Sequence, residues 1–188
     1  MNFRIELESR LDSVSFAMND ERNFPIEKLA EFAALTSKHL LAGNRVAFVG
    51  NGGSAAEAMH IAAEFTGKCV IDHRPLPVLC LNESISSLTA ISNDYGFEYV
   101  FSRQIEAHLS RGDLLVLLST SGKSKNIHEA ITKAKSIGVK CYLWSGENCP
   151  DFDGVEVWRV HSKSTPRTQE IHLVWGHLLS ELVELSLS

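Results

Sequence analysis

The hydrophobic pattern changes rhythm near residue 44. Before that point apolar residues recur at helical spacing. Residues 3–18 put Phe3, Leu7, Leu11, Val14 and Met18 on one stripe. Pro25 then opens a second helix carrying Ile26, Leu29, Phe32, Ala33, Leu40 and Leu41, and Gly43 is its natural stop. After Gly43 the apolar residues come in short continuous runs, the pattern of parallel strands covered on both faces. Strands are predicted over 45–50 (RVAFVG), 76–81 (LPVLCL), 113–119 (DLLVLLS), 140–146 (KCYLWSG) and 155–160 (VEVWRV). Helices are predicted between and after them over 54–66, 83–92, 97–109, 124–138 and 165–187.

Strands alternating with helices imply right-handed crossovers. The expected fold is α/β, a three-layer αβα sandwich on a five-stranded parallel, doubly wound sheet. One domain over residues 1–188 is expected, with N-terminal helices at 1–43 and an α/β core at 44–188. The two leading helices have no strand to cross to, so they must pack on the sheet layers or on another subunit.

Composition narrows the class. The formal net charge of −5 gives no general attraction to nucleic acid or an anionic membrane, so neither is an expected partner. No apolar run approaches the roughly 20 residues of a membrane span. The N-terminus is acidic where a signal peptide would be apolar, so a cytoplasmic location is expected. Cys69, Cys80, Cys141 and Cys149 lack C-x-x-C spacing and read as reduced thiols, with Cys80 and Cys141 as core filler.

In open α/β sheets ligands bind beyond the carboxyl ends of the strands. Two Ser/Gly-rich turns fall there, GNGGS at 50–54 and STSGKS at 119–124. Small residues allow close backbone approach, hydroxyls donate hydrogen bonds, and the following helix N-terminus favours an anion. Each turn alone reads equally well as a tight turn with an N-cap, Ser54 with Glu57 or Ser121 with Ser124. Two on one sheet edge favour a phosphate site, to which Lys123 could add charge. The first turn is neither a dinucleotide fingerprint nor a Walker A motif. The second strand ends in Asn82 rather than an acid, which disfavours a nucleotide.

His60 and Glu64 stand four residues apart on one helix face. That spacing suits a shared metal ion, a carboxylate base beside an imidazole, or a plain helix-face hydrogen bond. The last helix adds Gln169, Glu170, His172 and His177 among apolar neighbours. A histidine on such a helix is usually a core residue, but two with a glutamine invite a functional reading.

Four separated blocks, GNGGSAAEAMHIAAEFTG, AISNDYGFEYVFSRQIEA, LLSTSGKSKNIHEAI and RTQEIHLVWGHLLSELVE, resemble the sugar isomerase (SIS) domain family over nearly the whole chain. Within it they are most similar to the phosphoheptose isomerases. The resemblance implies a flavodoxin-like fold and a homotetramer with active sites at subunit interfaces. It implies an aldose–ketose isomerase acting on sedoheptulose 7-phosphate, at the first step of nucleotide-activated heptose biosynthesis for lipopolysaccharide or capsule. Asn51, Gly52, Gly53, Ser54, Asn93 and Asp94 would contact the sugar, and Ser119, Thr120, Ser121 and Ser124 the phosphate. His60, Glu64, Gln169 and His177 would bind one Zn2+ per subunit, with Glu64 and Gln169 also touching substrate. Glu64 and His177 would move protons through an enediol that the metal stabilises.

Gln169 and His177 are eight residues apart, roughly 12 Å and 80° on an ideal helix, too far for one ion. Either the helix starts late, with Gln169 on its entry turn, or the two come from different subunits, and the interface explanation is favoured. Pro166 stands where the isomerases often carry Asp, and SGENCPDFDG replaces a Gly-rich loop, which leaves another phosphosugar open. A non-catalytic SIS protein of the DnaA initiator-associating type is the other alternative. That branch lacks the catalytic acid and base, whereas Glu64 and His177 are present here.

Overall fold

The structure, a computed structural model, describes residues 2–187. Five parallel strands are joined by seven α-helices among those residues. They are α1 Phe3–Asn19, α2 Ile26–Leu41, β1 Val46–Gly50, α3 Gly53–Thr66, β2 Val78–Cys80, α4 Ile85–Tyr95, α5 Ser102–His108, β3 Leu114–Ser119, α6 Lys125–Ser136, β4 Lys140–Gly146, β5 Val155–Val160 and α7 Thr165–Leu187. The strand order β2-β1-β3-β4-β5 reverses direction between β1 and β3, which makes that crevice the topological switch point.

The apolar runs are strands because both of their faces are covered. Val46 and Phe48 of β1 join Leu114, Val116 and Leu118 of β3 in a core capped by α2, α3 and α7. The alternate residues Ala47, Val49, Leu115 and Leu117 face Ile105 of α5 and Ile127, Ala130 and Ala134 of α6. Tyr142, Trp144 and Trp158 on the sheet meet Phe32 of α2 and Trp175 of α7. Ring centroids are 4.3 Å apart for Phe32–Tyr142 and 5.7 Å for Trp144–Trp175. The Trp175 indole N–H donates to the Asn23 carbonyl at 2.6 Å, which keeps its polar end satisfied in the core. Asn23 in turn accepts from the His161 N–H at 2.7 Å and ties the α1–α2 junction to the end of β5.

Two expected elements differ most in extent. The helix expected over 97–109 is a 3-10 turn at Phe97–Tyr99 followed by α5, because Gly96 at φ +107° ends α4 and the chain re-enters the helix from a tighter turn. The second strand pairs only Val78, Leu79 and Cys80 with β1, since Pro77 has no N–H to donate. The cap expectations fail at both turns. The N-cap of α3 is Gly52, with Ser54 already inside the helix, and the Ser124 N-cap of α6 makes no side-chain cap bond.

The α1 stripe does not turn inward. Phe3, Leu7 and Leu11 are 78, 59 and 56 % exposed, and Ala17 is the buried residue of that helix. No helix among the described residues is long and apolar enough to cross a membrane.

Candidate active site and metal centre

The first turn is braced from both sides by asparagines. The Asn82 side chain accepts from the Gly50 N–H at 3.1 Å and donates to the Gly50 carbonyl at 2.9 Å. Asn51 and Asn126 exchange two amide hydrogen bonds, each 2.9 Å, linking the β1 turn to the first turn of α6. Gly50 has no room for a side chain, because a Cβ would lie 2.3 Å from the Ser54 carbonyl oxygen. In the sequence Asn82 stands out only as a missing acid, and Asn126 carries no signal of its own. No local pattern signals a residue whose role is to grip a distant backbone.

The second turn is closed by its own groups. Ser119, nearly buried, accepts from the Gly122 N–H at 3.2 Å, and His128 Nε2 lies 2.7 Å from the Gly122 carbonyl. Gly122 sits at φ +65°, and a Cβ there would strike Cys149 Sγ at 2.3 Å. Ser121 accepts from the Lys123 N–H at 3.2 Å. Thr120, Ser121 and Lys123 line a polar cavity of about 160 Å³ that continues to Asn148, Lys163 and Thr168. Asn93 and Asp94 stand exposed on α4, with the Asn93 amide donating to Asp94 at 2.8 Å.

Behind the first turn, α3 and α7 run parallel, and their polar residues meet in rungs. Gln169 lies against Gly53, where a Cβ would come within 2.3 Å of its amide nitrogen, and that nitrogen is 3.5 Å from Ser54 Oγ. Two turns further along α7, His177 Nε2 is 2.8 Å from His60 Nε2, and His60 Nε2 is 3.4 Å from Glu64 Oε1. Gln169 lies within α7, which begins at Thr165, so the alternative of a late helix start is excluded.

Glu57, expected only as a capping partner, is buried beside Ser54 and Gln169. Burial pushes its carboxyl up to about 7, against the opposing pull of the Ser54 hydroxyl and the Gln169 amide. His172 belongs to the core. It is wholly buried between Trp144 and Trp175, with Nε2 3.4 Å from the Ser145 carbonyl, and burial pushes it down to about 4.

One ligand atom each from His60, Glu64 and His177 lie within 4.8 Å of one another. Two imidazole nitrogens and a carboxylate oxygen at that spacing fit the donor set of a single divalent transition metal. The cluster opens to solvent through His60, whose side chain is 47 % exposed, so an ion there would keep a position for substrate.

The SIS domain family profile matches residues 10–142. A phosphoheptose isomerase of Rhodospirillum rubrum is 46 % identical over 158 residues, covering 83 % of this chain and 84 % of that protein. The structure of a phosphoheptose isomerase from Neisseria gonorrhoeae superposes with a TM-score of 0.89 at 31 % identity, covering 98 % of this chain and 100 % of that one. One from Francisella tularensis superposes at 0.92 with 26 % identity and the same coverage. Sequence and fold coincide over one chain, which therefore belongs to the SIS domain family and, within it, to the phosphoheptose isomerases.

Proposed function

We propose that the protein converts sedoheptulose 7-phosphate to D-glycero-D-manno-heptose 7-phosphate in the cytoplasm, as a zinc-dependent homotetramer. The observation that carries this reading is the meeting of His60, Glu64 and His177 beside the braced turns at the β1/β3 switch point. Similarity to phosphoheptose isomerases supports a heptose phosphate as the substrate, and the side chains present support proton transfer on it.

The phosphate would be held at the second turn. Ser119, Thr120, Ser121 and Ser124 offer hydroxyls there, and the N-terminus of α6 offers its unpaired amides. Asn51, Gly52, Gly53 and Ser54, with Asn93 and Asp94, would line the sugar's path. Isomerisation requires a proton to leave C1 and a proton to return to C2. The Glu64 carboxylate takes the first and returns the second on the same face of the enediol. His177 protonates the O2 oxygen as the C1–C2 double bond forms and takes the O1 proton as the aldehyde appears. Zinc bound by His60, Glu64 and His177, with Gln169 contributed across a subunit interface, would supply Lewis-acid stabilisation of the charge on those oxygens.

The exposed apolar residues of α1, Phe3, Leu7, Leu11 and Phe16, support assembly with other copies. So does α4, which buries none of its residues in its own chain and carries Asn93 and Asp94. The reading predicts aldose formation from sedoheptulose 7-phosphate by the purified protein, lost on chelation and restored by zinc. Zinc-loaded protein with no turnover on this ketose but turnover on another phosphosugar would move the assignment to that sugar.

A further inference from the structure

The buried acid Glu184 has no part in the proton transfers, yet its side chain is only 2 % exposed. A carboxylate taken from water needs strong partners. It has them in the strap that follows α3. Glu184 Oε1 accepts from the Cys69 N–H at 2.6 Å, and Oε2 accepts from Val70 and Ile71 at 3.0 and 2.9 Å. His73 Nε2, itself 5 % exposed, lies 3.2 Å from Oε1. Three successive amides converging on one carboxylate form an anion nest closed by a segment of the same chain. Burial alone would raise the Glu184 carboxyl. The three amides, with His73, outweigh it and hold the group below its ordinary value.

The place of this clasp gives it a use. Along the parallel pair α3 and α7, Gln169 meets Gly53, His177 meets His60, and Glu184 meets residues 69–71. Glu184 is seven residues after His177, roughly 10 Å along α7 and within about 20° of the same face. The strap starts at Gly67, three residues after Glu64, and turns back so that the Leu76 N–H donates to Phe65 at 3.1 Å. The Cys69 thiol faces the Glu64 carboxylate. Glu64 thus lies between two fixed points, the His60–His177 contact and the clasp.

We propose that Glu184 is a positioning residue of the metal centre: by clasping the strap to α7 it fixes the rotation and height at which His177 meets His60 and Glu64. The inference rests on reading those three residues as metal ligands and is independent of which sugar is isomerised. Removing the carboxylate would leave three strap amides without their acceptor, so the test must separate a loss of stability from a loss of geometry.

The test is zinc affinity, measured by chelator competition on the whole protein, alongside melting temperature and steady-state kinetics. Glu184→Gln keeps the shape but presents an N–H to the amides. It is expected to bind zinc roughly 10–100-fold more weakly, the range for supporting groups behind metal ligands. Its kcat should fall about tenfold while KM stays within about twofold, and Glu184→Asp should recover part of both losses. Wild-type zinc affinity and kcat in E184Q, with only a lower melting temperature, would make the clasp purely structural and overturn the proposal. If E184Q is recovered unfolded, His73→Ala decides. A several-fold loss of zinc affinity supports the clasp, and no change overturns it. A wild-type protein that binds zinc but leaves sedoheptulose 7-phosphate unchanged refutes the sugar assignment, and the zinc titrations then still decide the role of Glu184. A wild-type protein with no zinc affinity removes the metal centre and the proposal together.

Discussion

Gly176 of α7 lies so close to Ile61 of α3 that a Cβ on the glycine would stand 2.4 Å from Ile61 Cγ1 and 2.5 Å from Cδ1. Both residues are buried, at 0 % exposure for Ile61, so the side chain has little space to give. The next residue along α7 is His177. The distance at which the two helices pack therefore sets whether His177 reaches His60. Gly176→Ala is expected to cost about 1–3 kcal/mol by overpacking and to weaken metal binding by parting the two imidazoles. Adding Ile61→Ala, which removes both of those carbons, should restore part of the metal affinity and cost less stability than the two changes summed, a coupling that a double-mutant cycle in zinc affinity and urea unfolding measures. Strictly additive effects would show that the close approach does not govern the site.

His172 gives the stability a pH dependence whose sign follows from its burial. Unfolded, its imidazole binds a proton near 6.5; folded, burial among tryptophans holds it down to about 4. As pH falls below 6.5 the unfolded state gains the proton first, so stability is lost between about pH 6.5 and 4. That shift amounts to about 3 kcal/mol when complete, at 1.36 kcal/mol per unit. His172→Phe keeps an aromatic ring among Trp144 and Trp175 and removes the titration. Urea midpoints at pH 7.5 and 4.5 should therefore fall less in H172F than in the wild type. Equal falls would place the acid sensitivity elsewhere.

The elements legible in the sequence are those in which local pattern and tertiary burial agree. β1, β3 and β4 are apolar runs because both faces are covered, and they and the partly exposed edge strand β5 lie where the pattern predicts them. Misplaced features depend on distant partners. Phe3, Leu7 and Leu11 make a proper helical stripe, but nothing in a stripe says whether its partner is the same chain. The Ser54/Glu57 spacing fits a capping box. The left-handed Gly52 starts the helix two residues earlier than that box needs, and frees Glu57 to be buried beside Gln169. His60 and Glu64 were visible because four residues on a helix is a contact. Their meeting with His177, 117 residues away, required the parallel packing of α3 and α7.

Removing a proton-transfer group and removing a phosphate contact should leave different kinetic signatures. Glu64→Gln keeps the size and an oxygen donor but has no base. Its kcat is expected to drop by at least 10²–10⁴-fold, the contribution of a placed acid–base group, with substrate binding retained. Ser121→Ala removes one exposed hydroxyl at the second turn. A hydrogen bond to a charged group contributes roughly 1.5–3 kcal/mol, so KM should rise about 10–100-fold with kcat nearly unchanged. Rapid kinetics under saturating and limiting sedoheptulose 7-phosphate separate the two. A Glu64→Gln variant with full kcat would remove that carboxylate from the chemistry.

Asn126 offers a sharper test of how the two turns cooperate, because it contacts no expected atom of the reaction. It is 2 % exposed, and its paired 2.9 Å bonds with Asn51 lock the β1 turn against the start of α6. Asn126→Ala breaks both bonds and leaves the half-buried Asn51 amide without its partner, a loss of about 1–3 kcal/mol. The β1 turn then loses its fixed distance from the phosphate-binding hydroxyls, and KM should rise about tenfold. Asn126→Asp is the informative contrast. It can still accept from the Asn51 amide, so it retains more of the native geometry than alanine. It also adds a negative charge at the N-terminus of α6, where the substrate phosphate would sit. If the phosphate binds there, N126D must raise KM more than N126A, and the difference must shrink as added salt screens the repulsion. If N126D instead binds substrate as well as the wild type, the anion lies elsewhere, and the Ser119–Ser124 turn loses its assigned role.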